Sequence, residues 1–338
     1  MITELYAAYN AGILSIPNNA EFLTVRINVE TENYLVEREV VGGFARFDVA
    51  AFARKYFVKK VLVIDDRIFE DTLFALNLSV QNVAGTETFF STKLINAVAQ
   101  VGESPNLISK KGVLRTNFER LKKYEGYELT VGCLLYNGTT YINSIPKTSS
   151  REHVLINVFD TDTEIVISTV NQLTNNLGEI LTNNFGEILE INGTDFNVKR
   201  LPVLHLCTPE NPFYIRWVNQ LGGYDYWMFG RRQSYEYKLS GQEEFKPYFD
   251  DVETAHGTTK IFTMNAKESA TVGAEQVTNV EYDVISKVVL SPLIEWYNGE
   301  LGKWLEIQVN DFEMAKNTGS SAQNIEITFD LPDKQIQF

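Results

Sequence analysis

The sequence predicts a mainly β protein with two β-sandwich or barrel-like domains, an inserted β-hairpin arm and few short helices. Short runs of alternating apolar and polar residues recur along the 338 residues, and Gly, Asn and Thr separate them. A period of two is the pattern of half-buried strands. Helical spacing of apolar residues is scarce. This combination is typical of sandwiches and barrels.

The amino-terminal half contains the clearest single strand. Residues 21–30 alternate regularly and predict a strand that pairs with residues 34–41. Residues 48–56 predict a helix, with Asp48 as its N-cap. Residues 90–101 fit either a short helix or a strand, and the pattern does not decide between them.

Turn and linker residues set the predicted domain boundaries. Asn137-Gly138 is a strong turn signal, so residues 131–142 predict a β-hairpin. The segment 146–150 has the composition of a linker. We therefore predict three parts: an N-terminal β-rich domain (1–150), a small β module or arm (151–198) and a C-terminal β-sandwich domain (199–338).

The middle part contains an internal repeat. Residues 173–180 read Leu-Thr-Asn-Asn-Leu-Gly-Glu-Ile, and residues 181–188 match them at seven of eight positions. Asn-Asn-x-Gly in each copy predicts a turn, with a short strand between turns. Two interpretations stay open: a hairpin arm that reaches a neighbouring subunit, or a duplicated surface loop.

Residues 212–229 carry the most informative pattern, with seven aromatic side chains on one predicted β-hairpin whose strands are 213–218 and 224–229. The aromatic residues occupy both faces of both arms, so we expect both faces to be covered, between layers or against another subunit. Two adjacent glycines supply the positive φ of a tight turn. The predicted structural or assembly residues are Trp217, Gly222, Gly223, Tyr226, Trp227 and Phe229.

The charge balance excludes some classes of partner. With 44 acidic and 30 basic side chains, the net charge of −14 argues against a nucleic-acid surface. No run of residues is long and apolar enough to predict a membrane span, and residues 1–17 do not resemble a signal peptide. Cys133 and Cys207 fit a reducing compartment, and we expect free thiols, although a disulfide between them stays open.

Metal and nucleotide chemistry have no clear sequence signal. His205 and Cys207 would face the same side of a strand, but further ligands are absent nearby, which favours a packed strand. Asp160, Asp162 and Glu164 alternate like calcium ligands without the glycine and final glutamate of a calcium loop, which favours a solvated acidic turn. Phosphate-binding and hydrolase motifs are absent. We therefore predict no cofactor and no enzymatic activity.

Two sugar-related alternatives stay open. A glycosidase needs only two suitably spaced carboxylates, which a sequence cannot show. Four tryptophans, Trp217, Trp227, Trp296 and Trp304, could line a sugar-binding platform, although buried core tryptophans are the favoured interpretation. The alternatives are thus a carbohydrate- or receptor-binding module and, third, a glycosidase-type enzyme.

One resemblance to known proteins is most specific at Phe213–Phe229, and it also covers 112–116, 124–127, 291–292, 304–309 and 325–331. In these segments the sequence resembles uncharacterised structural proteins of tailed phages and prophages of Bacteroidetes-type bacteria.

The resemblance implies a virion structural protein, a tail or baseplate subunit that assembles into a symmetric ring through β-rich domains and extended arms. Its expected partners are other copies of itself and neighbouring virion tail proteins. Nucleic acid and membranes are not expected partners, and a host-surface glycan is the partner that the receptor-binding alternative implies. The expected location is the virion tail, after synthesis in the host cytoplasm. No catalytic residue comes with this resemblance.

Overall fold

The structure is a computed structural model that describes the larger part of the chain. The described residues are 4–7, 13–54, 68–70, 75–95, 97, 114–135, 138–149, 153–170, 197–245, 260–313, 316–317, 319–332 and 334–337. The octad repeat at 173–188 lies outside these residues.

Most described residues form strands, which confirms the predicted mainly β fold class. The elements before the aromatic hairpin are β1 (Glu4–Ala7), β2 (Ile13–Pro17), β3 (Phe22–Val29), β4 (Glu32–Val41), β5 (Phe44–Asp48), α1 (Ala50–Arg54), β6 (Ile68–Glu70), β7 (Ala75–Asn82), β8 (Thr88–Ile95), β9 (Leu114–Arg115), β10 (Leu121–Tyr124), β11 (Thr130–Leu134), β12 (Gly138–Ile142), β13 (Ile145–Ser149), β14 (His153–Asn157), β15 (Glu164–Val170) and β16 (Asn197–Leu206).

The remaining elements begin with the hairpin strands. They are β17 (Phe213–Val218), β18 (Tyr224–Phe229), β19 (Arg231–Phe245), β20 (Lys260–Thr278), α2 (Asn279–Ile285), a 3₁₀ helix (Ser286–Leu290), β21 (Ile294–Asn298), β22 (Lys303–Glu313), β23 (Ala322–Asp330) and β24 (Lys334–Gln337).

The described strands form four sheets. Their orders are β1-β8-β7-β3-β4-β5-β2, β10-β16-β15-β12-β13, β6-β14-β11-β9 and β18-β17-β21-β22-β23-β20-β19, with β24 beside β20. β1 and β10 run parallel to β8 and β16, whereas the long pairs β3–β4 and β19–β20 are antiparallel.

The chain divides into two compact units. The first comprises Met1–Cys207, Val218–Asp225 and Leu290–Pro292, and the second comprises Thr208–Trp217, Tyr226–Val289 and Leu293–Phe338. Each unit therefore contains segments that are distant in sequence. The predicted division at residues 150 and 198 stays a prediction.

Alternation along β3 explains how the first sheet forms its core. Val25, Ile27 and Val29 are buried, and the residues between them are only partly covered. β5 alternates in the same way, with Ala45 and Phe47 buried. Because every second side chain of a strand points to the same face, one face of this sheet carries the apolar core and the other faces outward.

Two local predictions are wrong. The described strands of the hairpin predicted at 131–142 do not pair with each other: β11 pairs with β14 and β9, whereas β12 pairs with β13 and β15. Asn137 of the predicted turn lies outside the described residues. The linker predicted at 146–150 lies largely in β13, which is paired along its length with β12. Both segments have turn-like composition, but pairing with strands distant in sequence determines their structure.

The helices are short, as predicted, but one was missed. α1 lies within the predicted helix 48–56, and Asp48 accepts a hydrogen bond from the backbone N–H of Ala51. α2 was not predicted, although Thr278 and Glu281 form a capping box at its start. Neither described helix is long and apolar enough to cross a membrane.

Candidate functional site

The aromatic hairpin has the strand bounds that the sequence predicts. All six residues of β17 and all six of β18 are buried. Both faces of the hairpin are thus covered within a single chain, as its aromatic pattern predicts. The predicted side chains Trp217, Tyr226, Trp227 and Phe229 are among these buried residues. Their role in contacts between copies stays a prediction.

Aromatic rings of the second unit pack around the base of the hairpin. The ring of Tyr214 lies 5.9 Å from that of Tyr226 and 5.5 Å from that of Trp304. On the other face, the Phe213 ring stacks on Phe329 at 5.8 Å. Alternate residues of β17 therefore anchor two separate aromatic groups, which explains why both faces of this strand carry large rings.

A buried ion pair crosses from β17 to β21. Arg216 Nε lies 2.7 Å from Glu295 Oε2, and the Arg216 guanidinium carbon lies 4.2 Å from the centre of the Trp304 ring. Charged groups are rarely buried unless they are paired, and this arginine has both a carboxylate and an aromatic face as partners. The register of β17 and β21 puts Arg216 directly opposite Glu295, which brings the two side chains together.

The hairpin turn belongs to the first unit and contains both predicted glycines. Gly222 has φ 83°, as predicted, whereas Gly223 is not in the left-handed region. Gly223 is required for a different reason: a Cβ there would lie 2.5 Å from the carbonyl oxygen of Arg115. Asn219 Nδ2 donates to that same carbonyl oxygen at 2.8 Å.

Asp225 fixes the turn to the segment that follows β9. Its Oδ1 accepts from Thr116 Oγ1 at 2.6 Å, and its Oδ2 accepts from Asn117 Nδ2 at 2.8 Å. Burial raises the pKa of the Asp225 carboxyl, against the opposing effect of these hydrogen bonds. No sequence pattern indicates this contact, because its partners are more than a hundred positions apart.

Arg115 and Cys133 are buried on neighbouring strands. Burial lowers the pKa of Arg115 to about 10 and raises that of the Cys133 thiol to about 12. Among the described residues, Arg115 Nε and Nη1 have no hydrogen-bond partner. Neither side chain is accessible to solvent, so both belong to the protein interior and do not form a reactive centre.

The two cysteines should differ sharply in reactivity. Both are free, with Cys133 buried and Cys207 exposed. We expect a thiol reagent to label only Cys207 in the native protein and both cysteines after denaturation, because only an accessible thiolate reacts. Mass spectrometry of the labelled peptides measures this. Native labelling that persists in Cys207→Ser would contradict the burial of Cys133.

The interpretation of His205 and Cys207 as packed strand residues is wrong, because His205 is exposed on β16 and Cys207 is exposed just after its end. The histidine and the acidic side chains that were considered as metal ligands have separate partners. His205 Nε2 lies 2.6 Å from the carbonyl oxygen of Asp162. Asp160 pairs with Lys123, and Glu164 pairs with Arg200 at 2.6 Å. Within the described residues no group of three or more possible metal ligands occurs. The acidic turn is therefore built from separate ion pairs and hydrogen bonds.

The outward face of the first sheet carries apolar side chains. Register places Val41 opposite Phe44 and Phe44 opposite Pro17, and Phe22 is one row away beside Glu39. Val41 is 62% exposed, and the other three apolar residues are also exposed. We call Pro17, Phe22, Val41 and Phe44 the apolar outer face.

The second unit has an exposed edge strand. In the described part of the chain, β19 pairs only with β20, and residues 234–238 are exposed on both faces. Tyr237 donates from its hydroxyl to Glu268 Oε1 at 2.7 Å. Burial and the charge of Glu268 raise the pKa of nearby Tyr235.

The tryptophans do not form an open platform. Trp217 and Trp227 are buried, whereas Trp296 stacks on Phe213 and Trp304 packs edge-on against Tyr297. These contacts support the favoured interpretation of core tryptophans.

The chain matches no known protein-family model, and no curated protein matches it in sequence.

Proposed function

We propose that this protein is a self-assembling structural subunit of a bacteriophage particle, in the tail or baseplate, that forms a symmetric ring. It acts through contacts between β-rich surfaces, with other copies of itself and neighbouring tail proteins as partners. It uses no cofactor and catalyses no reaction. The mainly β fold and the resemblance of Phe213–Phe229 to phage structural proteins support this proposal.

The apolar outer face is the observation that carries the proposal. Val41, Phe44 and Pro17 form one continuous row across three neighbouring strands. Contiguous apolar residues on a protein surface mark contacts with other proteins more often than isolated exposed residues do. A flat sheet face suits another protein surface better than a small ligand, which binds in a concave pocket.

Val41→Asp should weaken self-association at least about tenfold, because a buried contact would then contain an unpaired charge. Size-exclusion chromatography with light scattering, over a concentration series, measures the effect. Leu301→Asp is the matched control, because Leu301 is 60% exposed but lies in a turn of the second unit. We expect the control to assemble like the natural chain.

A monomer at high concentration, both alone and with its neighbouring gene products, would contradict the proposal. Glycan binding by such a monomer would support the carbohydrate-binding alternative instead. Circular dichroism of each variant shows whether it keeps its fold.

A further inference from the structure

Among the described strands, β19 lies at the edge of its sheet, and its residues 234–238 are exposed. Its pairing with β20 is irregular between Arg231 and Gln233 and again between Ser240 and Glu243. Within the part of the chain that the structure describes, the segment between these irregularities pairs regularly with β20 and with no second strand. An unpaired edge presents N–H and C=O groups that can pair with another strand.

The sequence of this regular segment is self-complementary. Residues 234–240 read Ser-Tyr-Glu-Tyr-Lys-Leu-Ser, with Tyr237 at the centre. If two copies run antiparallel about Tyr237, Ser234 stands opposite Ser240 and Tyr235 opposite Leu239. Glu236 then stands opposite Lys238, twice by symmetry. Directly opposite residues on antiparallel strands are near enough for their side chains to interact.

The charges within one copy favour this arrangement. Lys238 stands opposite Lys267 of β20, so two positive side chains are adjacent at the edge. Glu236 of the same copy reaches Lys238 only at 3.8 Å, and both side chains are largely exposed. Glu236 of a second copy would lie beside Lys238 on the side away from Lys267, as a negative partner for it. Opposite charges on facing strands stabilise the pair, and like charges destabilise it.

We propose that β19 pairs with β19 of a second copy, antiparallel and centred on Tyr237, to form one continuous sheet across a two-fold axis. This inference rests on the proposed function, and it names the surface and the register of one contact in the assembly. In a two-fold contact of this kind, residue i of one copy faces residue j of the other and j faces i, so each facing pair off the axis occurs twice.

Edge protection is the other role of a charged edge strand, since lysine on an edge discourages pairing with foreign strands. Protection needs only a charged side chain on the edge. The order of residues 234–240, by contrast, places Lys238 of each copy opposite Glu236 of the other copy in one register. The two roles differ in the response to charge reversal, because protection does not depend on the sign of the charge.

Charge exchange tests the register directly. Lys238→Glu alone, or Glu236→Lys alone, should weaken the two-fold contact on the order of ten- to a hundredfold, because two attractive pairs become repulsive. An equal mixture of the two variants should recover it, since one chain then carries two glutamates and the other two lysines. Sedimentation velocity on differently labelled chains measures the mixed dimer.

A cysteine crosslink tests the centre of the contact. In a Cys207→Ser background, Tyr237→Cys should form a disulfide-linked dimer on oxidation, because the two side chains meet at the axis. Ser234→Cys is the matched control, because its two copies would lie roughly 20 Å apart at about 3.3 Å per residue. A disulfide needs Cα atoms about 5.5 Å apart.

The possible outcomes separate this inference from the proposed function. Failure of the mixture to recover, or equal crosslinking at residues 234 and 237, overturns the edge pairing. If Val41→Asp weakens assembly while the β19 variants and crosslinks do nothing, the edge pairing is wrong and the self-assembly proposal stands. A natural chain that is always monomeric overturns both.

Discussion

Trp217→Ala should lower the free energy of unfolding by about 3–5 kcal/mol. Trp217 is 1% exposed and is among the largest fully buried side chains of the described residues. Truncation removes its buried apolar surface and leaves a cavity that surrounding strands cannot fill. Domains of ordinary stability have about 5–15 kcal/mol in total, so the variant should denature at much lower urea concentration.

Leu301→Ala is the control for this loss. Leu301 is also apolar but largely exposed, and we expect a change within about 0.5 kcal/mol. Urea unfolding followed by tryptophan fluorescence and by circular dichroism gives both values. Equal unfolding midpoints for Trp217→Ala and the natural chain would show that Trp217 is not part of the core.

Gly223→Ala should destabilise the first unit by about 1–3 kcal/mol. The added Cβ would lie 2.5 Å from the carbonyl oxygen of Arg115 and 3.0 Å from its Cβ. Backbone atoms cannot move aside as the end of a flexible side chain can, so the turn must shift. The shift would weaken the hydrogen bond from Asn219 to the same carbonyl oxygen. Thermal unfolding measures the loss.

Gly299→Ala is a matched substitution in a different turn. Nothing lies within 4 Å of a Cβ at that position, and its φ is not in the left-handed region. Alanine there should not reduce stability, since it removes freedom from the unfolded chain without a clash. Equal melting temperatures for Gly223→Ala and Gly299→Ala would contradict the close approach to Arg115.

Local patterns predicted what depends on neighbouring residues. The hairpin strands β17 and β18 have the predicted bounds because alternation and an adjacent turn specify both. The hairpin predicted from Asn137-Gly138 is wrong, because the strands on either side of it, β11 and β12, belong to different sheets. Turn chemistry indicates where a chain can reverse, but partners distant in sequence decide which strands pair.

The interior of the candidate site could not be predicted. Asp225 and Thr116 give no periodic or spacing signal, and only the folded chain brings them together. The missed helix α2 is a different case, since its capping box is visible at Thr278 and Glu281. The self-complementary order of 234–240 is also visible in sequence, but its meaning depends on β19 being an edge.

The discontinuous first unit has a consequence for protein synthesis. Asn219 and Asp225 reach back 104 and 108 positions to Arg115 and Asn117. During synthesis, the carbonyl oxygen of Arg115 and the backbone N–H of Asn117 therefore leave the ribosome long before Asn219 and Asp225 are added to the chain. Contacts of such sequence separation form slowly. A chain truncated after Cys207 would keep both groups without these partners, so the first unit cannot be produced intact by cutting there.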